Sequence, residues 1–182
     1  MRIGIIGQKW LAAEVFKALL PVHEIAFVAV PNQQDRLWQM AMAADVAAYC
    51  YGGCGLDALA GQVVDLILCA HAFVFVPAHV RDQARYCIGY HPSLLPVHPG
   101  RHAVADAVAA GDRVTGGTVY HLTDAMDGGP IAFQDWCFIG KGETPADLWR
   151  RALGPMGLEL LLKATDHLAA YGFIPAEEQE RV

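Results

Sequence analysis

Along the first half of the chain, short unbroken apolar runs alternate with stretches in which apolar residues recur every three or four positions. RIGIIG (residues 2–7), EIAFVAV (24–30), VVDLILCA (63–70) and RYCIGYH (85–91) are runs of the first kind. Such a run is what a strand buried on both faces of a parallel sheet presents. WLAAEVFKALL (10–20), with Leu11, Val15, Phe16 and Leu19 at helical spacing, predicts a helix that Pro21 stops, and RLWQMAMAA (36–44) predicts a second. DVAAYCYGGCG (45–55) predicts a third strand running into a glycine-rich turn, GLDALAGQ (55–62) a short helix, and VPAHVRDQA (76–84) another with Pro77 near its first turn. Strands and helices in alternation predict an α/β fold with a mostly parallel sheet and helices on both faces.

The pattern changes in the second half. HAVADAVAAGD (102–112) predicts a helix closed by Gly111, and TGGTVYHLT (115–123) and GPIAFQDWCFIG (129–140) predict two strands joined through the turn cluster DAMDGGP. TPADLWRRALGPMGLELLLKATDHLAAYG (144–172) predicts a long helical tail, kinked or divided near Gly154–Pro155, with Thr144 and Asp147 placed as a capping box. The polar end, AEEQERV, is expected to fray. No repeat, low-complexity segment or linker interrupts this order, so the expectation is one domain over residues 1–182, its helical tail at about 144–173, with no second domain.

Composition narrows the function. A chain of 182 residues buries roughly 70% of the surface its unfolded form exposes, so it needs no disulfide staples. Gln8, His23, Asp65 and His71 interrupt the apolar runs well short of the ~20 residues a spanning helix requires, which predicts a protein without a membrane partner. MRIGIIGQKW enters a strand directly and shows no small-residue cleavage site, so it does not read as a signal peptide. Five cysteines, an odd number without framework spacing, fit a reducing compartment, and the cytoplasm is the expected location. The net charge is −6, and the 13 Lys and Arg are scattered apart from the Arg150–Arg151 pair. No basic stripe is present, so no nucleic-acid partner is expected.

Ligands of open parallel sheets bind beyond the carboxyl ends of the strands. GIIGQKWLAA has the wrong spacing for a dinucleotide fingerprint, with bulky Trp10 in its loop, and reads as a tight strand-to-helix turn. His98 and His102 are four apart but separated by Pro99 and Gly100, and Cys50 and Cys54 lack a matching second pair, so no metal is expected. The cysteines, including Cys69, Cys87 and Cys137, read as structural. What stands out is a histidine and aspartate constellation. His91 opens YHPSLLPVHPGRH at the end of a predicted strand, His121 ends the next, and Asp127 lies in the glycine-rich turn that follows. A carboxylate beside an imidazole fixes its orientation and suits it to general acid and base work.

HPSLLP with Gly100, followed by TVYHLTDAMDGGPI, resembles the family of formyltransferases that use 10-formyltetrahydrofolate, and the resemblance runs from the first strand to the tail helix. It implies a Rossmann-like formyltransferase fold and an enzyme that transfers a formyl group to a small amine, with 10-formyltetrahydrofolate as donor and no metal. It implies that His91 stands beside the formyl carbonyl, that Asp127 holds the histidine and manages the proton, and that His121 matches a histidine often present in the strand before that turn. The folate would meet Phe73, Val74, Phe75, Cys87, Ile88, Leu122, Thr123, Asp124, Ala125 and Met126.

One departure matters. The family's motif places an asparagine two residues before the histidine, and this chain has Gly89 there. Glycine has no side-chain donor for an oxyanion, which leaves Tyr90, Tyr120 and His71 as candidate substitutes and keeps a formyltetrahydrofolate hydrolase and a non-catalytic folate-binding relative as alternatives. Acidic composition and a chain without the basic C-terminal domain of the tRNA-directed members disfavour tRNA as acceptor; Lys9 and Arg101 are placed to meet an anionic group on a smaller one. A homodimer is compatible with the sequence, which does not set the oligomeric state.

Overall fold

The computed structural model describes residues 1–53 and 55–180, so Cys54 of the CYGGC pair and the last two residues lie outside the described part. The chain divides into two compact units, Met1–Ile88 and Gly89–Val182.

In the first unit, β1 (Arg2–Gly7) leads into α1 (Lys9–Leu19), β2 (Glu24–Val30), α2 (Arg36–Ala43), β3 (Ala48–Cys50), β4 (Val64–Ala70) and α3 (Ala78–Arg81). β1 lies between β2 and β4, β3 flanks β2, and all three pairings are parallel. The central strands are the continuous apolar runs, and Ile3, Ile5, Ile6, Phe27 and Leu68 are fully buried in them. α1 buries Leu11, Val15, Phe16 and Leu19, the stripe its spacing predicts. The first glycines serve packing: a Cβ on Gly7 would stand 2.0 Å from the Ala70 carbonyl oxygen, so β1 and β4 meet there only because no side chain intervenes.

Two expectations in this unit are corrected. The third strand is only three residues long, because Asp45 turns the chain at φ 56° before it and β3 has pairing partners only from Val28 to Val30. GLDALAGQ forms a single 3₁₀ turn at Asp57–Leu59, since Gly55 and Gly61, at φ 69° and 87°, bound it with left-handed backbone that no helix continues.

β5 (Ala84–His91) leaves the first unit at Ile88 and enters the second at Gly89. The second unit continues with α4 (Ala103–Ala110), β6 (Val114–His121), β7 (Ile131–Phe138), α5 (Pro145–Leu148) and α6 (Gly154–Tyr171), and β6 pairs antiparallel with β7. Thr144 caps α5 by accepting the Asp147 amide at 3.2 Å, while its own hydroxyl donates to the Asp147 carboxylate at 2.6 Å. The helical tail is divided by a π turn at Trp149–Leu153, immediately before the Gly154–Pro155 step. Pro155 has no amide hydrogen and its ring crowds the carbonyl four residues earlier, and a wider turn relieves both.

Tyr90 knits this unit together. Its hydroxyl donates to the Leu153 carbonyl at 2.6 Å, and a Cβ on Gly117 or Gly157 would fall 2.4 Å and 2.6 Å from its side chain. The end of the chain corrects a third expectation, since residues 174–179 are not frayed. Ile174 is buried, and Glu177 pairs with Ile131 through two backbone hydrogen bonds of 2.7 and 2.9 Å. Backbone pairing does not read side-chain polarity, so a polar tail beside the free edge of a strand still finds partners. No helix among the described residues is long and apolar enough to cross a membrane.

Candidate functional site

The site is built around the loop that leaves β5. Pro92, Pro96 and Pro99 cannot sustain a helix, and the loop gains its shape from a buried polar network instead. Thr118 on β6 donates its hydroxyl to the Ser93 carbonyl at 2.7 Å and accepts the Leu95 amide at 3.1 Å. Gln134 on β7 donates to Thr118 Oγ1 at 2.8 Å and to the Leu95 carbonyl at 2.9 Å. The Ser93 hydroxyl donates to the Val97 carbonyl at 2.5 Å. These contacts span up to 39 positions of sequence, so strand pairing has to be in place before the loop can take its form.

His91 and Asp127 come together at this loop. Their side chains are only 7% and 13% exposed, with Nδ1 of the imidazole 3.6 Å from Asp127 Oδ2. The other ring nitrogen, Nε2, lies 2.9 Å from the carbonyl oxygen of His98. A carbonyl only accepts, so that partner assigns the hydrogen to Nε2 and leaves Nδ1, on the side of Asp127, as the position of the neutral ring that takes up a proton. His98 presents its carbonyl from a left-handed backbone of φ 50°, and its own ring is held by Asp112 at 2.6 Å.

Both oxygens of Asp127 are engaged. Oδ1 accepts the Tyr120 hydroxyl at 2.8 Å and Oδ2 accepts the Gly100 amide at 2.6 Å. The residue is itself left-handed, at φ 50°, a conformation that needs support from its surroundings in a non-glycine residue. The arrangement is an oriented imidazole with one nitrogen committed, facing a carboxylate fixed by two donors. Such a pair can accept a proton from one reacting atom and return it to another.

His121 is placed differently. Tyr120 and His121 are neighbours on β6 and therefore point to opposite faces. Tyr120 reaches Asp127, whereas His121 has Nε2 2.7 Å from the carbonyl of Pro175 in the C-terminal segment. The strand alternation was the signal for Tyr120, since it shares a face with Thr118, which holds the His91 loop.

The place of the missing asparagine is explicit. Gly89 is buried two residues before His91, on the same face of β5, so a side chain there would lie beside the imidazole. Of the candidate substitutes, Tyr90 commits its hydroxyl to Leu153, and burial pushes its phenol far above the ordinary value. Tyr120 donates to Asp127. His71 belongs to the first unit, where it follows β4 at φ 56°; burial first, then the Lys9 ammonium, push its imidazole below the ordinary value against the opposing pull of Asp35.

The residues expected to meet a folate fall in both units. In the first, Phe73 and Phe75 are 50% and 62% exposed, with Val74 between them. Cys87 is nearly buried and Ile88 fully so. The hydrogen bond to Cys87, then burial, push the Cys69 thiol up, which leaves Cys69 an inert part of the core. In the second, Leu122, Thr123, Asp124, Ala125 and Met126 form the turn before Asp127, with the Ala125 amide donating to Thr123 Oγ1 at 3.2 Å and Met126 80% exposed. Large apolar side chains held in water by their backbone suit them to a flat, partly aromatic ligand. Among the described residues, no cluster of three or more His, Cys, Asp or Glu is arranged to hold a metal ion.

Comparison with known proteins places the chain in a family. The family described as formyl transferase matches residues 56–165, a span that includes His91, Asp127 and the loop between them. A methionyl-tRNA formyltransferase of Anaplasma phagocytophilum (strain HZ) is 34% identical over 197 aligned positions, which take in 98% of this chain and 64% of that protein. The mitochondrial 10-formyltetrahydrofolate dehydrogenase of Mus musculus is 28% identical over 184 positions, covering 93% of this chain but only 20% of the dehydrogenase. Among solved structures, glycinamide ribonucleotide transformylase 1 from Symbiobacterium toebii superposes with a TM-score of 0.80 over 98% of this chain and 93% of that one, at 24% identity. That likeness is one of fold, and it agrees with the Rossmann-like, mostly parallel architecture.

Proposed function

The chain belongs to the formyl transferase family, and on that premise we propose that it moves the formyl group of 10-formyltetrahydrofolate to the amine of a small acceptor. The observation that carries the proposal is the His91–Asp127 pair, nearly buried, with Nδ1 directed at a carboxylate that two donors already fix. As the amine nitrogen bonds to the formyl carbon, the nitrogen sheds a proton, and His91 Nδ1, backed by Asp127, receives it. The same pair returns a proton to the folate nitrogen when the bond from that nitrogen to the formyl carbon breaks, so the products are a formamide and tetrahydrofolate. The Tyr120 hydroxyl and the Gly100 amide hold the Asp127 carboxylate in place through this exchange. Phe73, Val74, Phe75, Cys87 and Ile88 of the first unit, and residues 122–126 of the second, are the proposed folate contacts. The acidic charge of the chain favours a small amine over a nucleic acid as acceptor. The five cysteines, an odd number without framework spacing, favour a cytoplasmic setting.

A second reading, hydrolysis of the same donor, is favoured by Gly89, which puts no side chain on the face of β5 that carries His91. Conversion of 10-formyltetrahydrofolate to tetrahydrofolate by the purified protein, with and without a panel of small amines and amino-sugar nucleotides, separates the two. Amine-dependent turnover is the expected result. Turnover independent of amine means a hydrolase, and saturable binding of a stable folate analogue without turnover means a binding protein.

A further inference from the structure

The segment after α6 is fastened to the turn of Asp127 at alternate residues. The Pro175 carbonyl accepts from His121 Nε2 at 2.7 Å, Glu177 exchanges backbone hydrogen bonds with Ile131, and Gln179 places Nε2 2.7 Å from both the Asp127 and the Gly129 carbonyl oxygens. The residues between them, Ala176 and Glu178, are exposed. A period of two is that of an extended strand, and it brings every second residue to bear on the turn.

The Gln179 contact falls where support is most needed. Asp127 sits at φ 50°, and rotating its backbone out of the left-handed region would turn its carbonyl away and swing its carboxylate off His91. One amide nitrogen has two hydrogens, and Gln179 gives both to carbonyls two residues apart, which bridges the turn across its width. The other end of the turn is already tight: a Cβ on Gly129 would meet the His121 carbonyl oxygen at 1.8 Å, and the His121 amide donates to Pro130 at 2.8 Å. His121 is thus joined to the turn through its backbone and to the strap through its ring.

We infer that residues 174–179 form a strap that holds Asp127 in its working conformation, with Gln179 as a positioning residue and His121 as the strap's anchor. The catalytic part of this inference rests on the formyl-transfer reading; the structural part does not. Glutamate at 179 has the same shape but brings a carboxylate against two carbonyl oxygens, and Gln179→Glu is therefore the sharpest variant, with His121→Phe as a second that leaves the turn itself unaltered.

Two readouts on the full chain test it. In the formyl-release assay, Gln179→Glu lowers kcat about tenfold while KM for the donor stays within about twofold, the signature of a misplaced group and not of lost binding. By hydrogen exchange, the Gly100 amide, which is bonded to Asp127 Oδ2, exchanges about tenfold faster in both variants, since its protection depends on the carboxylate staying in place. A wild-type kcat in the variants overturns the strap's catalytic role, and wild-type exchange at Gly100 overturns the strap itself. If the unaltered protein releases no formyl group, the functional reading fails, and the exchange at Gly100 still decides whether the strap positions Asp127. Should Gln179→Glu not fold, His121→Phe carries the same two measurements.

Discussion

The two units of this chain both bury an apolar core, and they differ in what accompanies it. Met1–Ile88 is a parallel α/β unit whose strands pair through their backbones while their side chains, Ile3, Ile5, Phe27 and Leu68 among them, pack on both faces. Gly89–Val182 contains an antiparallel pair, and beside an apolar core that includes Val119, Leu153 and Leu161 it holds a polar network. Thr118, Ser93, Gln134, Tyr120 and Asp127 are tied by hydrogen bonds reaching across loops. Apolar burial tolerates small shifts, because it scales with area and has no direction. Hydrogen bonds fail within a few tenths of an ångström, so the unit that carries this network is the one that can hold an imidazole and a carboxylate in a defined relation.

The largest expected effect comes from the proposed reacting pair. His91→Ala and Asp127→Ala are expected to lower turnover by about 10²–10⁴-fold, the usual worth of a positioned acid or base, while Tm falls only modestly, and more for Asp127→Ala, which also loses the Tyr120 and Gly100 hydrogen bonds. Equal loss of activity and of Tm would mean that the pair is structural. The converse experiment is Phe27→Ala, which empties a fully buried position in the first unit and is expected to cost about 3–5 kcal/mol. Denaturant unfolding measures that loss, and turnover per folded molecule should be preserved.

Two tyrosines sharpen the comparison inside the second unit. Tyr120→Phe removes a donor to a charged acceptor, a contact worth about 1.5–3 kcal/mol, and should lower kcat by roughly tenfold or more. Tyr90→Phe leaves the Leu153 carbonyl without its partner at a cost of about 1–3 kcal/mol of stability, yet should leave kcat unchanged; a loss of kcat in that variant would show Tyr90 to be the donor that replaces the asparagine. The smallest effect is an acid one. The Arg151 guanidinium, with the Gly140 amide, holds the Glu143 carboxyl down at about 2 from an ordinary 4.5. A lowered folded value adds stability above the unfolded value and loses it as pH falls from 4.5 toward 2. Tm measured across that window should fall more for the wild type than for Glu143→Gln; because the pair lies at the surface, the difference is small and shrinks further with salt.

Much of the framework is legible in the sequence. β1, β2, β4 and α1 lie within a residue of their apolar runs, because a strand buried on both faces and a helix with one buried stripe each leave a period in the chain. His91 and Asp127 were legible for a different reason: a proline-rich exit and a glycine-rich turn are unusual in sequence, and both fall after predicted strands. Tyr120 was visible only as one of three spare donors, since its role depends on which face of β6 turns toward Asp127. Gln179 was not visible at all, for a polar tail reads the same whether it pairs or frays.

The amino-acid order carries the succession of strands and helices and the two unusual segments that hold His91 and Asp127, since each follows from period or local backbone chemistry. Only the tertiary structure decided that His91 gives one nitrogen to His98 and keeps the other for Asp127, that Tyr120 and not His121 meets the carboxylate, and that the end of the chain returns to brace the turn. These contacts join residues as far as 54 positions apart. Hydrogen bonds of that reach depend on distance and direction in space, and neither is written in a local pattern.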